Sequence, residues 1–422
     1  MAQIYSRAIL NISADASPDV YQGIFTSANE VVIEDHNWEW RPKLVKLPVE
    51  SLKRGIQSEV YASITKGSQE IDDNPTTSVL QRRAWSYQEA ALSPRRLRYT
   101  ILGLLWTCCT LHISGEVTER EPHNIQELNR FDQLILSVYH IPYKSLPLGI
   151  HTSSEEQSFQ VLLWWYHQVS DYGKRLLTFA KDRFPAMSSL ANQFSDRTGY
   201  TYKAGIWVED FRRGLLWTSC DSEIRLDHSP SWSWAVIEGG PCVRNIYETD
   251  ELYVYSDTTD PPAELVSVEV ENIGESPYGQ VKWGKIILRG LCRTLAELNK
   301  EHDFYLHNGS VWSWSDKYGI AGKGAPHSNA VRLSMDEIDI FDEQFWERTD
   351  VLLIQISYFE SFPDTEGEDE SFDRPRPLTA SYALVLQPTN QPEGTYRRIG
   401  VARRRGLWPQ DVSWEMKIVT IV

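Results

Sequence analysis

Short apolar runs separated by turn residues fill the chain from residue 231 to residue 422 and limit its fold more than any other feature. Examples of such runs are residues 281–288 and 351–358, and turn sequences such as Pro-Tyr-Gly at 277–279 lie between them. Several short strands alternating with turns are typical of antiparallel β structure. We therefore predict an antiparallel β-rich C-terminal domain over residues 231–422, with residues 232–237 as its first strand.

Helical signals dominate the middle of the chain, over residues 116–230. Residues 155–172 place apolar side chains at the 3.6-residue interval of an amphipathic helix. Weaker signals of the same kind occur at residues 125–139, 188–196 and 207–216. These segments predict a helical middle region.

The first 115 residues mix both kinds of signal. Residues 4–12 form a largely apolar run followed by a polar loop, which predicts a buried strand. Residues 77–91 predict a helix that the Ser-Pro pair at 93–94 ends, and residues 97–110 predict a strand or two. Together with the other two regions, this makes an α+β protein.

Composition excludes several classes of function. The net charge of the 422-residue chain is −16, and an acidic surface repels phosphate backbones, so we expect no nucleic-acid partner. Five cysteines without C-x-x-C spacing argue against a disulfide framework and a structural zinc site, and we expect no metal. No apolar stretch approaches the ~20 residues that span a bilayer, and no signal peptide opens the chain. A cytoplasmic protein without a membrane partner is the expectation.

Trp85 and Glu89 form the best candidate site. They stand four residues apart in the predicted helix, so they share one helix face. An indole beside a carboxylate suits a ligand pocket, because apolar burial raises the pKa of the acid and excludes water. A buried tryptophan beside a surface glutamate is the alternative interpretation.

Sixteen tryptophans are an unusually large number, and Trp232 and Trp234 stand out among them. Residues two apart on a strand share a face. Core packing is one interpretation of this pair. The other is an aromatic wall that binds a hydrophobic small molecule.

Several motifs together resemble the fungal heterokaryon-incompatibility (HET) domain family. Residues 83–89 read Arg-Ala-Trp-Ser-Tyr-Gln-Glu and residues 92–97 read Leu-Ser-Pro-Arg-Arg-Leu, which is similar to the most recognisable HET signature. The Ile-Tyr-Ser-Arg-Ala sequence at 4–8 and the following loop resemble the family's middle segment. Blocks such as Pro-Ser-Trp-Ser-Trp-Ala at 230–235 resemble sequences that usually follow the domain. The matches extend over a little more than half of the chain.

The resemblance implies a fold and a site. HET domains resemble TIR domains, which have a small flavodoxin-like α/β fold, and some TIR proteins cleave NAD with a glutamate at Trp-x-x-x-Glu spacing. By resemblance Glu89 is the catalytic carboxylate, while Trp85, Ser13 and Arg83 bind the ligand. The family's first two segments, of the LSYxWG and IDxxCINQ types, do not occur in this chain. We therefore expect a partial TIR-like domain at residues 1–115.

Three functions remain open on this basis. The first is a HET-family protein of fungal non-self recognition, heterokaryon incompatibility and regulated cell death, which acts mainly through a protein partner or self-association and needs no cofactor. The second is residual NAD-cleaving activity through Glu89. The third is a cofactor-independent enzyme of fungal specialised metabolism on a degenerate HET scaffold, with a small-molecule ligand.

Overall fold

The chain forms two compact units, unit 1 (Met1–Ser145) and unit 2 (Leu146–Val422). Sequence patterns place boundaries near residues 115 and 230 instead, and that three-part division stays a prediction. The computed structural model describes residues 2–17, 19, 21, 44–47, 60–63, 79–100, 103–108, 111–114, 155–219, 225–226, 228–238, 241–242, 253–254, 263–300, 304–308, 311–314, 331–336, 345–361, 378–390, 394–405, 408 and 414–422.

Unit 1 contains two short helices and six short strands among its described residues. They are α1 (Ala2–Ser6), β1 (Asn11–Ser13), β2 (Leu44–Leu47), β3 (Val60–Ser63), α2 (Ala84–Leu92), β4 (Arg95–Thr100), β5 (Gly103–Cys108) and β6 (Leu111–Ser114). Four strands form one sheet in the order β1-β4-β5-β6, and β2 and β3 form a separate antiparallel hairpin. In that sheet β1 and β4 are parallel, whereas the other neighbours are antiparallel. A parallel pair needs a crossover connection, and α2 lies in the connection, directly before β4.

The N-terminal apolar run differs from its prediction. The sequence predicts a buried strand over residues 4–12, but the structure has the helix α1, a turn and only the three-residue strand β1. Ile9 is 83% exposed and Ile12 is 58% exposed. The prediction was wrong because apolar content alone does not show whether a neighbouring element covers the run.

Unit 2 begins with helices that the sequence predicts well. They are α3 (Glu155–Gly173), α4 (Ser188–Thr198) and α5 (Phe211–Gly214). The predicted helix at 207–216 is a short 3₁₀ helix (Val208–Asp210) followed by α5, and the one at 125–139 lies outside the described residues. Helix α4 ends at Gly199, whose φ of 74° allows its N–H to bond the Ser195 carbonyl at 2.8 Å.

The rest of unit 2 is dominated by strands. They are β7 (Tyr202–Lys203), β8 (Ile206–Trp207), β9 (Thr218–Ser219), β10 (Pro241–Cys242), β11 (Tyr253–Val254), β12 (Glu264–Asn272), β13 (Val281–Thr294), β14 (Phe304–Asn308), β15 (Val311–Trp314), β16 (Val331–Met335), β17 (Leu352–Ser361), β18 (Leu378–Pro388), β19 (Thr395–Arg405) and β20 (Glu415–Ile421). One further helix, α6 (Leu295–Asn299), follows β13 directly.

Ten of these strands form one sheet, part of which closes on itself. Strand β13 pairs with β17, β17 with β18, β18 with β19, β19 with β20, and β20 again with β13. The pairing of β19 with β20 is parallel and the other four are antiparallel, as an odd-membered ring requires. Strand β16 adds to the outside of the ring next to β19, and β12 next to β13.

The core of unit 2 lies against this sheet. On β18, residues 380–386 are buried on both faces, which occurs when a strand is covered on two sides. One cluster of buried apolar side chains joins the sheet to α6: Leu295, Leu298, Val331, Leu333, Met335, Phe345, Val351, Leu353, Ala383, Val385, Ile399, Ala402 and Trp408. The described residues thus form a mixed α+β protein, as the sequence predicts.

Candidate functional site

The candidate site of unit 1 is built on the parallel strands β1 and β4. Their register sets Asn11 opposite Arg96 and Ser13 opposite Arg98. Helix α2 precedes β4 and its C-terminal end is tied to the start of β1. The Asn11 amide donates to the Glu89 carbonyl at 3.3 Å and to the Ser93 hydroxyl at 2.9 Å.

A buried carboxylate that the sequence interpretation missed lies just beyond β1. Asp15 is fully buried, and Arg98 donates from Nε to its Oδ2 atom at 2.7 Å. The Ser13 hydroxyl donates to the other carboxylate oxygen. The backbone of the same loop is held as well, because Ala16 donates to the Tyr99 carbonyl at 3.0 Å. A polar residue two positions after the end of a strand is the sequence signal that could have found Asp15.

Glu89 is half-buried. Burial in the first place, and then interaction with the Glu89 carboxylate, raises the pKa of Tyr5 on α1. Trp85, one turn earlier on α2, is half-buried as well, and both residues lie on one helix. The Glu89 side chain is therefore neither fully solvent-exposed nor deep in a core.

The other predicted ligand-binding residues of unit 1 do not converge on Glu89. Arg83 is exposed at the start of α2, and its side chain makes no capping hydrogen bond. The Ser13 hydroxyl is bonded to Asp15. In the described part of the chain no hydrogen bond or ion pair joins Glu89 to Ser13 or Arg83. The backbone carbonyl of Glu89 accepts from Asn11, the first residue of β1, whereas Ser13 is the last residue of that strand.

Trp232 and Trp234 belong to unit 2, and the predicted strand at 232–237 is wrong. Residues Trp234–Val236 form a 3₁₀ helix, because the Ser233 hydroxyl accepts from the Ala235 N–H at 3.2 Å and caps its start. Trp234 donates from Nε1 to the Gly205 carbonyl at 2.8 Å. Both indoles are buried. This favours core packing over an open aromatic wall.

An aromatic cluster in unit 2 accounts for much of the tryptophan content. Trp165 of α3 lies 5.0 Å from Trp207 and 5.3 Å from Phe194, measured between ring centroids. Phe194 in turn stacks on Trp207 at 4.6 Å, and Tyr202 lies 5.1 Å from Trp207. Rings at these distances are in contact. The cluster packs α3, α4 and the β7–β8 hairpin together.

The strongest electrostatic feature of unit 2 is a buried arginine on β19. Arg398 donates from Nη1 to Asp336 at 3.0 Å and from Nη2 to the Trp217 carbonyl, and its guanidinium carbon lies 3.3 Å from the centroid of the Trp217 ring. Burial lowers the pKa of Arg398 to about 10, although Asp336 acts in the opposite direction. The Arg398 N–H also donates to Ser231 at 3.0 Å. These bonds hold the segment before Trp232 against the sheet.

Among the residues that the structure describes, no group of three or more His, Cys, Asp or Glu side chains is arranged to hold a metal ion. Of the helices described, none is both long enough and apolar enough to cross a membrane.

Comparison with known proteins assigns no family and no function to these residues. Comparison of the chain with protein-family models, with curated proteins and with solved structures finds no match.

Proposed function

We propose that this chain is a HET-family protein of fungal non-self recognition, heterokaryon incompatibility and regulated cell death, and that it acts mainly by self-association through unit 1. The observation that carries this proposal is the exposed apolar stretch on and before β1. Ile9 and Ile12 are 83% and 58% exposed, and Ile4 on α1 is exposed as well. Exposed apolar residues that cluster in this way mark interaction surfaces.

The edge of β1 adds backbone groups to this surface. Within the described residues β1 pairs with β4 along one edge and has no partner along the other. An unpaired edge offers N–H and C=O groups to another chain. A partial TIR-like sheet, which is part of the proposal, would leave this edge open.

A second copy of the chain is the occupant that fits this edge. Residues 8–13 read Ala-Ile-Leu-Asn-Ile-Ser and contain no charged side chain, although the whole chain carries a net charge of −16. Two copies therefore repel each other over most of their surface but not here. The same uncharged edge on both copies can form a two-fold symmetric contact.

The internal hydrogen bond of Ser13 favours association over turnover. The Ser13 hydroxyl is bonded to Asp15, which also pairs with Arg98. Ligand binding at Ser13 would have to replace this internal hydrogen bond, and such replacement costs part of the binding free energy.

The test compares the wild-type protein with the Ile9→Lys/Ile12→Lys double variant by size-exclusion chromatography with light scattering. We expect the mass of the wild type to rise with concentration and the double variant to stay monomeric. Ile418→Lys is the matched control, because Ile418 on β20 is 67% exposed but lies in unit 2. A wild type that is monomeric at every concentration, or a double variant that associates like the wild type, would contradict the proposal.

NAD cleavage through Glu89 is the second candidate, and the half-buried pair of Trp85 and Glu89 on one helix favours it. A carboxylate next to the substrate stabilises an oxocarbenium-like transition state. Nicotinamide release from NAD is compared between the wild type and Glu89→Gln, and equal release would exclude Glu89. Expression in a fungal host separates the two candidates. Association predicts that Glu89→Gln still arrests growth and that the double variant does not.

A further inference from the structure

A buried polar layer in unit 1 carries an inference that does not rest on the proposed self-association. Arg96 and Arg98 stand two apart on β4, so their side chains lie on the same face of the sheet. Both are buried, at 8% and 4% exposure. Two arginines on one buried face are rare, because a buried charge has to be paired.

Among the residues that the structure describes, only one of these two arginines has a carboxylate partner. Arg98 is paired with Asp15 at 2.7 Å. The Nε atom of Arg96 is buried without a hydrogen-bond partner, and in the part of the chain that the structure describes the side chain of Arg96 makes no ion pair. A buried charge without a partner carries a desolvation cost that a folded protein seldom leaves uncompensated.

The surroundings of Arg96 are polar and ordered. Asn11, its register partner on β1, is fixed by bonds to the Glu89 carbonyl and the Ser93 hydroxyl. Thr107, its partner on β5, is buried.

We propose that Arg96 is an oxyanion-binding residue and that this site takes the phosphate or carboxylate group of a small molecule. The guanidinium presents N–H donors in a planar fork that matches two oxygens of either group. An anion bound there supplies the missing negative charge, in the way that Asp15 does for Arg98. The residual exposure of Arg96 leaves its side chain within reach of solvent.

Thermal unfolding and titration calorimetry test the site with inorganic phosphate, pyrophosphate and acetate as probes, and with sodium chloride at equal ionic strength as the reference. We expect at least one of the oxyanions to raise the melting temperature of the wild type, because a ligand that binds only the folded state stabilises it. Arg96→Met should lose that rise and the calorimetric signal. A response to phosphate and pyrophosphate alone identifies the phosphate class, and a response to acetate alone the carboxylate class.

Two controls separate binding from a structural role. Arg95→Met removes the neighbouring exposed arginine, and it should keep the full response. Without any oxyanion, Arg96→Met should melt no lower than the wild type, because it removes a charge that no described carboxylate pairs. A wild type that responds to none of the probes, an Arg96→Met protein that keeps the response, or an Arg96→Met protein that fails to fold would each overturn the proposal.

Discussion

The buried pair of Arg398 and Asp336 allows a sharp test of how unit 2 is stabilised. Replacing Asp336 by Leu leaves the fully buried Arg398 guanidinium with the Trp217 ring and the Trp217 carbonyl as its partners among the described residues. Removing one partner of a buried ion pair costs about 3–5 kcal/mol of unfolding free energy. Arg225 lies 3.9 Å from the same carboxylate, so the loss should fall toward the upper part of that range.

A double-mutant cycle measures the pair itself. Arg398→Met should also destabilise strongly, because it removes the guanidinium that lies 3.0 Å from the buried Asp336 carboxylate. The double variant Asp336→Leu/Arg398→Met removes both charges and should recover most of the loss, since apolar replacement of a buried pair is often close to neutral. The assay is urea unfolding followed by circular dichroism, which gives the free energy of unfolding for all four proteins.

An exposed ion pair of the same length is the control. Glu415 and Lys417 are joined at 3.0 Å, the distance that also separates Arg398 from Asp336, but both lie at the surface. Lys417→Met should therefore change stability little. If Asp336→Leu also costs less than about 1 kcal/mol, or if the double variant loses the sum of the two single losses, burial does not set the strength of this pair.

Three further outcomes follow from unit 2. Gly205→Ala should lower the free energy of unfolding far more than Gly199→Ala, and chemical unfolding of the two variants would measure the difference. Both glycines have a positive φ, so both substitutions strain the backbone. A Cβ at Gly205 would in addition lie 2.5 Å from the Trp234 Nε1 atom, whereas a Cβ at Gly199 meets open space. Burial raises the pKa of Cys292 from its ordinary value near 9 to about 12. The thiol should thus resist iodoacetamide at pH 9 in peptide mapping, and its contribution to stability should fall as pH rises above 9, because the unfolded thiol loses its proton first. Thr294→Ala removes the capping box of α6 and should cost about 1 kcal/mol, which Thr294→Ser largely restores.

Local signals explain why the helices of unit 2 could be predicted from sequence. Helix α3 shows an apolar face at helical spacing, and α4 is followed by Gly199, whose left-handed conformation stops a helix. The apolar runs of β13 and β17 likewise mark strands, because alternating or continuous apolar stretches between turns leave few alternatives. In each case the residues that decide the structure are within a few positions of one another.

Pairings between distant residues could not be predicted. The ring closes because β20 lies between β13 and β19. No local sequence pattern indicates that β20 pairs with these two strands. The segment at 232–237 alternates like a strand, yet Ser231 is bonded to Val422 and Ser233 caps a 3₁₀ helix. Hydroxyl bonds to nearby backbone compete with strand pairing, and the alternation of Trp232 and Trp234 does not reveal them.

In the candidate site of unit 1 as well, the local feature could be predicted from sequence and the pairing of distant residues could not. The spacing of Trp85 and Glu89 is local, and the structure keeps both on α2. Asp15 and Arg98 are 83 positions apart, so their ion pair depends on the parallel register of β1 and β4. The family resemblance pointed to Ser13 but not to Asp15, the carboxylate to which the Ser13 hydroxyl is bonded.

Comparison of the buried arginines indicates where an external ligand is needed. Arg398 and Arg98 each meet a buried carboxylate, Asp336 and Asp15, so their charges are compensated within the fold. Arg96 is buried to a similar degree on the same strand as Arg98, but its side chain makes no ion pair with any residue that the structure describes. A charge that the protein does not compensate lowers stability unless something else compensates it. The same chemistry that makes Arg398 a stabilising residue therefore makes Arg96 a binding residue.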